Sequence, residues 1–335
     1  MKNLSALSIC VCISAMALAQ YNSKNLTIRD EAVQFTYKNL RLYPIYANQA
    51  FLDAHKNVGK YTPLQQAIEQ KKIVVTEAVA AVDSSHLQQH HTLNPDHVEQ
   101  QITGGGERVN TLYVENVSND TIMIMAGEVV KGGKQDRVLA SDMILPPMSG
   151  KTDISVFCVE QGRWNYEGGL GVYGYSNCSN VSVRKEAVVT KSQQEVWKQV
   201  AIVTEVNGAS TGTGTYTALD TSKNYNAELK GYLDHFKAIM KTQANVIGVV
   251  ACTGDSILGC DMFATPDLFN TYLDNLLNSY ATEAISNGSA AKTSYAAVQE
   301  YLNKFLADES KQEEVVEKNG SILKNKGRKL HLTKF

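Results

Sequence analysis

The six residues Thr121 to Ala126 (TIMIMA) carry apolar side chains on both faces of an alternating pattern. Successive strand residues point to opposite sides, so this segment is expected as a strand buried on both sides. Such a strand belongs inside a layered fold.

Its neighbours read as further strands. Asn119-Asp120 is turn chemistry, which predicts a hairpin between Leu112–Val117 and Thr121–Ala126. Pro146-Pro147 ends a strand over Met143–Leu145. From Lys151 onward Ile154, Val156, Cys158 and Glu160 share one strand face, which aims Glu160 inward. Upstream, Gln34 to Tyr46 is strand-like. Thr62-Pro63-Leu64-Gln65 reads as a capped helix start that yields at Lys71-Lys72 to a strand from Ile73.

After Ser192 the period becomes helical. Ser192 and Glu195 make a capping box for a helix that turns Val196, Trp197, Val200 and Val203 inward and stops at Asn207-Gly208. Ala209 to Thr215 is a flexible loop, and a stripe of Tyr225, Leu229, Tyr232, Phe236 and Met240 marks the next helix. Two strands flank Thr253-Gly254-Asp255, Thr265-Pro266-Asp267 caps a long helix, and a last helix covers about Thr293 to Leu306. The expected fold is α+β, in one domain over 20–309. A β-rich, antiparallel, sandwich-like half (34–164) packs with a helical half (192–309) that contains a β-hairpin. The charged residues 310–335 are expected as a loosely held tail or an edge strand.

Residues 1–19 have the pattern of a signal peptide: Lys2, an apolar run over Leu4–Ile13, and Ala17-Leu18-Ala19 before Gln20. A cut after Ala19 implies a secreted or periplasmic protein. Cys10 and Cys12 follow Ile9 and Val11, which does not suit a lipoprotein site. No later stretch is long and apolar enough to span a membrane. A net charge of −2 over 335 residues gives no reason to expect a nucleic-acid partner. Past the leader stand Cys158, Cys178, Cys252 and Cys260. A two-residue turn at Gly254-Asp255 would set Cys252 opposite Ile257 and Cys260 opposite Val249, too far apart to bond, which leaves a Cys158–Cys178 bridge open. His86, His90, His91 and His97 lie in a polar stretch read as a solvated loop rather than a metal site.

Polar chemistry concentrates between Asn110 and Trp164. The segments Ala126-Gly127-Glu128, Gly132-Gly133-Lys134-Gln135-Asp136-Arg137 and Cys158-Val159-Glu160-Gln161-Gly162-Arg163-Trp164, with the later Asp261-Met262-Phe263 and Leu276–Tyr280, resemble a bacterial family. It is the ADP-ribosylglycohydrolase (ARG) and rhodanese-phosphatase-superfamily-associated protein domain, and the resemblance runs from about Leu40 to Leu306. The family name records gene neighbours, which implies an association with NAD-derived or ADP-ribose-like compounds without assigning an activity or a cofactor. Asp136 stands where the family pattern has asparagine, an added negative charge.

Three functional readings follow. In the first, Lys134, Gln135, Arg137, Arg163 and Trp164, with Asp261, bind a small anionic or nucleotide-like molecule at the Gly132-Gly133 turn, where bare N–H groups and guanidinium forks suit an anion and an indole can stack. In the second, Glu128 and Glu160 act as paired acid and base of a hydrolase or transferase, with Cys158 as a weaker nucleophile candidate. In the third, the same charges are buried ion pairs that only hold strand register.

Overall fold

The structure is a computed structural model that describes residues 21–31, 33–79, 107–163 and 173–335. It begins with strands β1 (Leu26–Thr27), β2 (Thr36–Tyr37) and β3 (Leu40–Ala47), helix α1 (Gln49–His55), β4 (Thr62–Pro63), α2 (Leu64–Glu69) and β5 (Ile73–Val79). Then come β6 (Glu107–Asn116), β7 (Ile122–Ile124), β8 (Glu128–Gly132), β9 (Arg137–Leu139), β10 (Met143–Leu145), β11 (Gly150–Cys158) and β12 (Tyr173–Cys178). Helix α3 (Val181–Lys185) runs into a π-helical stretch, Glu186–Thr190, and α4 (Gln193–Val206) precedes a 3-10 helix, Tyr216–Thr221. The remainder is α5 (Lys223–Met240), β13 (Val246–Thr253), β14 (Ser256–Phe263), α6 (Pro266–Asn287), α7 (Tyr295–Leu306), α8 (Glu309–Glu317), β15 (Gly320–Asn325) and β16 (Arg328–Lys334).

Strand β7 is covered on both sides, as its composition demands. Ile122 and Ile124 pack with Val114, Val130, Leu139, Ile154 and Val156 of a six-stranded sheet ordered β12-β8-β9-β11-β6-β5. Met123 and Met125 face the opposite way, into a core with Phe263, Tyr272 and Leu276. The Tyr272 hydroxyl donates to the Met123 carbonyl at 2.6 Å. Strand β7 itself lies between β10 and β4 in a small sheet, paired antiparallel to β10 and parallel to β4.

The expected β6–β7 hairpin does not form. β6 pairs with β5 and β11 instead. The reason is Asn116, buried at the end of β6. Its amide donates to the carbonyls of Asp120 and Pro146, and its Oδ1 accepts from the Ser118 N–H, so the turn hands the chain to another layer. Thr62 likewise is no helix cap: it sits in β4 opposite Ile122, and α2 starts after Pro63 without a side-chain cap.

The third sheet is built from both ends of the chain. Its order is β1-β3-β13-β14-β16-β15, with β2 paired to β3. The overall class is α+β, with antiparallel sheets dominating the N-terminal half and helices the C-terminal half. The other two caps read from sequence are in place, since Ser192 accepts from Glu195 N–H and Thr265 from Leu268 N–H. Helix α4 buries Val196, Val200 and Val203, whereas Trp197 is only half-buried.

Residues 310–335 are not a loosely held tail. They supply part of α8 and the β15–β16 hairpin, and β16 sits inside the sheet between β14 and β15, which takes the edge. Leu332 packs into the core of Met262 and Ile247, Leu330 turns at a register shift into the core of Phe263, and His331 and Thr333 are buried as well, so the lysines nearby conceal a strand used on both sides.

Cys158, Cys178, Cys252 and Cys260 are all free and buried. The β13–β14 turn sets Cys252 opposite Ile257 as expected, but a bulge after Ala251 sets Cys260 opposite Val250 rather than Val249. The open Cys158–Cys178 bridge does not form, because Cys158 lies opposite Arg137 and Cys178 opposite Glu128, two separate strand pairs. Among the described residues, no helix is long and apolar enough to cross a membrane. Trp164 and the His86–His97 stretch lie outside the described residues.

Candidate functional site

The charged residues singled out in the sequence separate into two clusters. The inner one is centred on Asp261 in β14, on the π-adjacent helix residue Arg184, and on His331 in β16. Arg184 grips Asp261 with both ends of its fork, Nη1 to Oδ2 at 3.0 Å and Nη2 to Oδ1 at 2.6 Å. Its Nε donates to the Ala126 carbonyl at 3.0 Å, and Nη2 also reaches Thr333 Oγ1 at 3.2 Å. His331 spans two carboxylates, with Nδ1 2.8 Å from Asp142 and Nε2 2.9 Å from Asp261, and the Tyr280 hydroxyl donates to Asp261 at 2.5 Å. Gly127 makes room for this. Its φ is +94°, and a Cβ there would fall 2.5 Å from Arg184 Cγ.

Glu128 adjoins this cluster. Its Oε2 accepts from Met125 N–H at 2.7 Å and its Oε1 from the Asn275 amide at 2.8 Å. Burial pushes its carboxyl up to about 8. Burial also opposes charge on His331, yet Asp142 and Asp261 at its two nitrogens raise it to about 9. Against the same burial, Arg184 and His331 hold Asp261 well below the usual carboxylate range. Arg184 and His331 thus meet Asp261 and Asp142, with the buried Glu128 alongside. Arg184, Asp261, His331 and Glu128 are all fully buried, so this is a sealed, satisfied network.

The outer cluster forms where β8, β9 and β11 end near the Gly132-Gly133 turn. Arg163 donates from Nε to Glu160 Oε2 at 2.8 Å, from Nη2 to Asp136 Oδ1 at 3.1 Å, and from Nη1 to the Gly133 carbonyl at 2.9 Å. Asp136 also accepts from Gly132 N–H and, on Oδ2, from the hydroxyls of Thr215 and Thr217 at 2.7 Å each. Four donors on one group suit a carboxylate, because an asparagine amide would turn an NH2 toward some of them. Glu160 forms an isolated β-bridge with Thr215, which ties down the end of the loop expected to be flexible. The side chain of Arg163 keeps 27% exposure, so this cluster reaches solvent.

Behind it lies Arg137, fully buried. Nη1 makes only long contacts, 3.3 Å to Gln135 Oε1 and 3.5 Å to the Asp136 carbonyl. Among the described residues, Nε and Nη2 have no hydrogen-bond partner. The nearest carboxylate oxygen is Glu77 Oε2, 3.9 Å from Nη2. Glu77 is held back because its Oε1 accepts from Lys134 N–H at 2.8 Å and from the Tyr173 hydroxyl at 2.6 Å. Burial pushes the Cys158 thiol up while Arg137 opposite draws it down, and the Cys158 backbone is clasped by the Gln193 amide.

Of the expected site residues, Lys134 (by its backbone), Gln135, Arg137, Glu160 and Arg163 are brought together. Glu128 and Asp261 are not. Glu128 lies beyond Val129, the partner of Val138, while Glu160 lies two residues past Cys158, the partner of Arg137. That is about four residues along the strands and two strands across, on the order of 15 Å. The paired acid and base are therefore two unconnected carboxyls. Sequence reasoning missed Glu77, Asp142, Tyr173, Arg184, Asn275 and His331. Each is an isolated polar residue in its own segment, joined to the others only by sheet pairing.

The pattern of the ARG and Rhodanese-Phosphatase-superfamily-associated Protein domain matches residues 31–332. The chain belongs to this family. The family match spans both clusters, from Glu77 through Arg137 and Arg184 to His331. No curated protein and no solved structure matches the chain. Among the described residues no group of three or more His, Cys, Asp or Glu is arranged to hold a metal ion.

Proposed function

We propose that this member of the family is an exported domain that recognises a small anionic molecule at the Arg137 end of the six-stranded sheet. One observation carries the reading: a fully buried guanidinium with two N–H edges unserved. Buried polar groups are nearly always paired, and an unmet charged donor is among the costlier exceptions. An anion at Nε and Nη2 would remove that cost. Gln135, Glu160 and Arg163 frame the same corner, and the sequence association with ADP-ribose-like compounds makes nucleotides a reasonable part of any panel. The export half of the proposal rests on Lys2, Leu4–Ile13 and Ala17–Ala19.

The test is thermal-shift screening of the chain from Gln20 against carboxylates, inorganic phosphate, nucleotides and ADP-ribose, in parallel with Arg137→Lys. A ligand that binds the folded state alone raises the melting temperature, and the rise should vanish in the variant. An unmoved melting temperature across the panel would reject the reading.

A second reading, a structural or interaction domain, is favoured by the sealed Arg184–Asp261–His331 network, which binds three segments of the chain and offers no access. The hydrolase reading loses its basis once Glu128 and Glu160 stand apart.

A further inference from the structure

We propose that the ligand of Arg137 is a compact molecule bearing one planar carboxylate, rather than a phosphate or a diphosphate. This rests on anion recognition at Arg137 and narrows its class.

The unserved nitrogens, Nε and Nη2, form one side of the guanidinium. Their N–H bonds run nearly parallel, which matches the two oxygens of a carboxylate. Arg163 uses the same side within the same cluster, with Nε 2.8 Å and Nη2 2.6 Å from Glu160 Oε2. Glu77 cannot fill the side offered by Arg137 while Lys134 N–H and the Tyr173 hydroxyl hold its other oxygen.

Charge supplies the second restriction. Glu77, Asp136 and Glu160 surround the two guanidiniums, and Arg163 is already committed to Asp136 and Glu160. A phosphate dianion or a diphosphate would set two or more negative charges against the Arg137 guanidinium. A monocarboxylate adds one. Part of the surround is apolar: Val130 and Cys158 are the cross-strand partners of Arg137, and the Tyr173 ring stands against Gly133, so a small hydrophobic body is the companion to the carboxylate that these neighbours would accept. Because Nε and Nη2 are buried, the ligand enters by displacing a side chain. Tyr173, the first residue of the edge strand β12, is the one we assign to that movement.

Calorimetric titration with acetate and benzoate, set against inorganic phosphate and ADP-ribose, tests this. Benzoate should bind saturably, and Arg137→Lys, which keeps the charge but loses the paired N–H side, should weaken it roughly tenfold or more. Glu77→Gln removes a neighbouring negative charge and should tighten it. If Arg137→Lys does not fold, unchanged or weaker benzoate binding by Glu77→Gln overturns the proposal. Binding of phosphate or ADP-ribose that depends on Arg137, with both carboxylates silent, overturns the carboxylate class and leaves anion recognition standing. No binding by any of the four probes overturns both.

Discussion

Arg184 and Arg137 are both fully buried, and the chain treats them in opposite ways. All three nitrogens of Arg184 are bonded, to Asp261, Thr333 and the Ala126 carbonyl. Arg137 has two nitrogens with no hydrogen-bond partner among the described residues and a carboxylate held just out of hydrogen-bonding reach. A satisfied buried charge locks elements together, whereas an unsatisfied one is a cost the fold bears without local return. The contrast separates a structural arginine from one available to a ligand.

The largest expected difference is in stability. Arg184→Met strands Asp261 without its fork in a dry interior and should cost about 3–5 kcal/mol, read as a lowered urea midpoint. Arg137→Met removes a guanidinium that is poorly served, while Glu77 keeps its bonds to Lys134 and Tyr173, so the change should stay within about 1 kcal/mol of zero. Equal losses in the two variants would break the comparison.

Next comes pH. Glu128, raised from 4.5 to about 8, and His331, raised from 6.5 to about 9, hold their protons more tightly folded than unfolded. Their stabilisation is therefore complete below the unfolded values and is lost as pH climbs through the folded ones. Asp261 is shifted downward, so its share is present above its usual 3.8 and lost as pH falls below it. Stability should peak between about pH 4 and 6 and fall by on the order of a few kcal/mol by pH 9. Urea titrations at pH 5, 7 and 9 on the parent chain and His331→Gln check this, since the variant should lose the upper part of the decline.

Two glycines sharpen the same contrast with smaller effects. At Gly127 a Cβ would fall 2.5 Å from Arg184 Cγ, and at Gly133, with φ +49°, 2.3 Å from Tyr173 Cζ. Gly127→Ala should cost about 2–3 kcal/mol, because Arg184 cannot retreat without abandoning Asp261. Gly133→Ala should cost less, about 1–2 kcal/mol, because the new methyl meets the far end of the Tyr173 side chain rather than the stem of a fully bonded arginine. Thermal unfolding of the pair ranks them.

Much of the fold was legible where the signal was local. The doubly apolar TIMIMA strand, the caps at Ser192 and Thr265 and the Gly254-Asp255 hairpin all depend on neighbours a few residues away. What failed was non-local. The β6–β7 hairpin looked sound until Asn116 was seen to bind carbonyls from Asp120 and Pro146 and send the chain across to another sheet. The Glu128–Glu160 pair failed because strand register, which no single segment reveals, sets them at opposite ends of β9. His331 was hidden by its surroundings: a run rich in lysine gave no hint that alternate residues were buried on both faces. Of the outer cluster, the sequence carried the residue types at the Gly132-Gly133 turn but not Glu77, which arrives from a strand nearly sixty positions earlier.

The insertion of β16 between β14 and β15 has a consequence for timing. Its rungs join residue 334 to Cys260, and β3, from the first fifty positions, sits two strands farther along the same sheet. Neither the large sheet nor the buried histidine it carries can be completed before residues 328–334 have been made. Such a sheet stays open, and in need of protection from wrong partners, until β16 arrives.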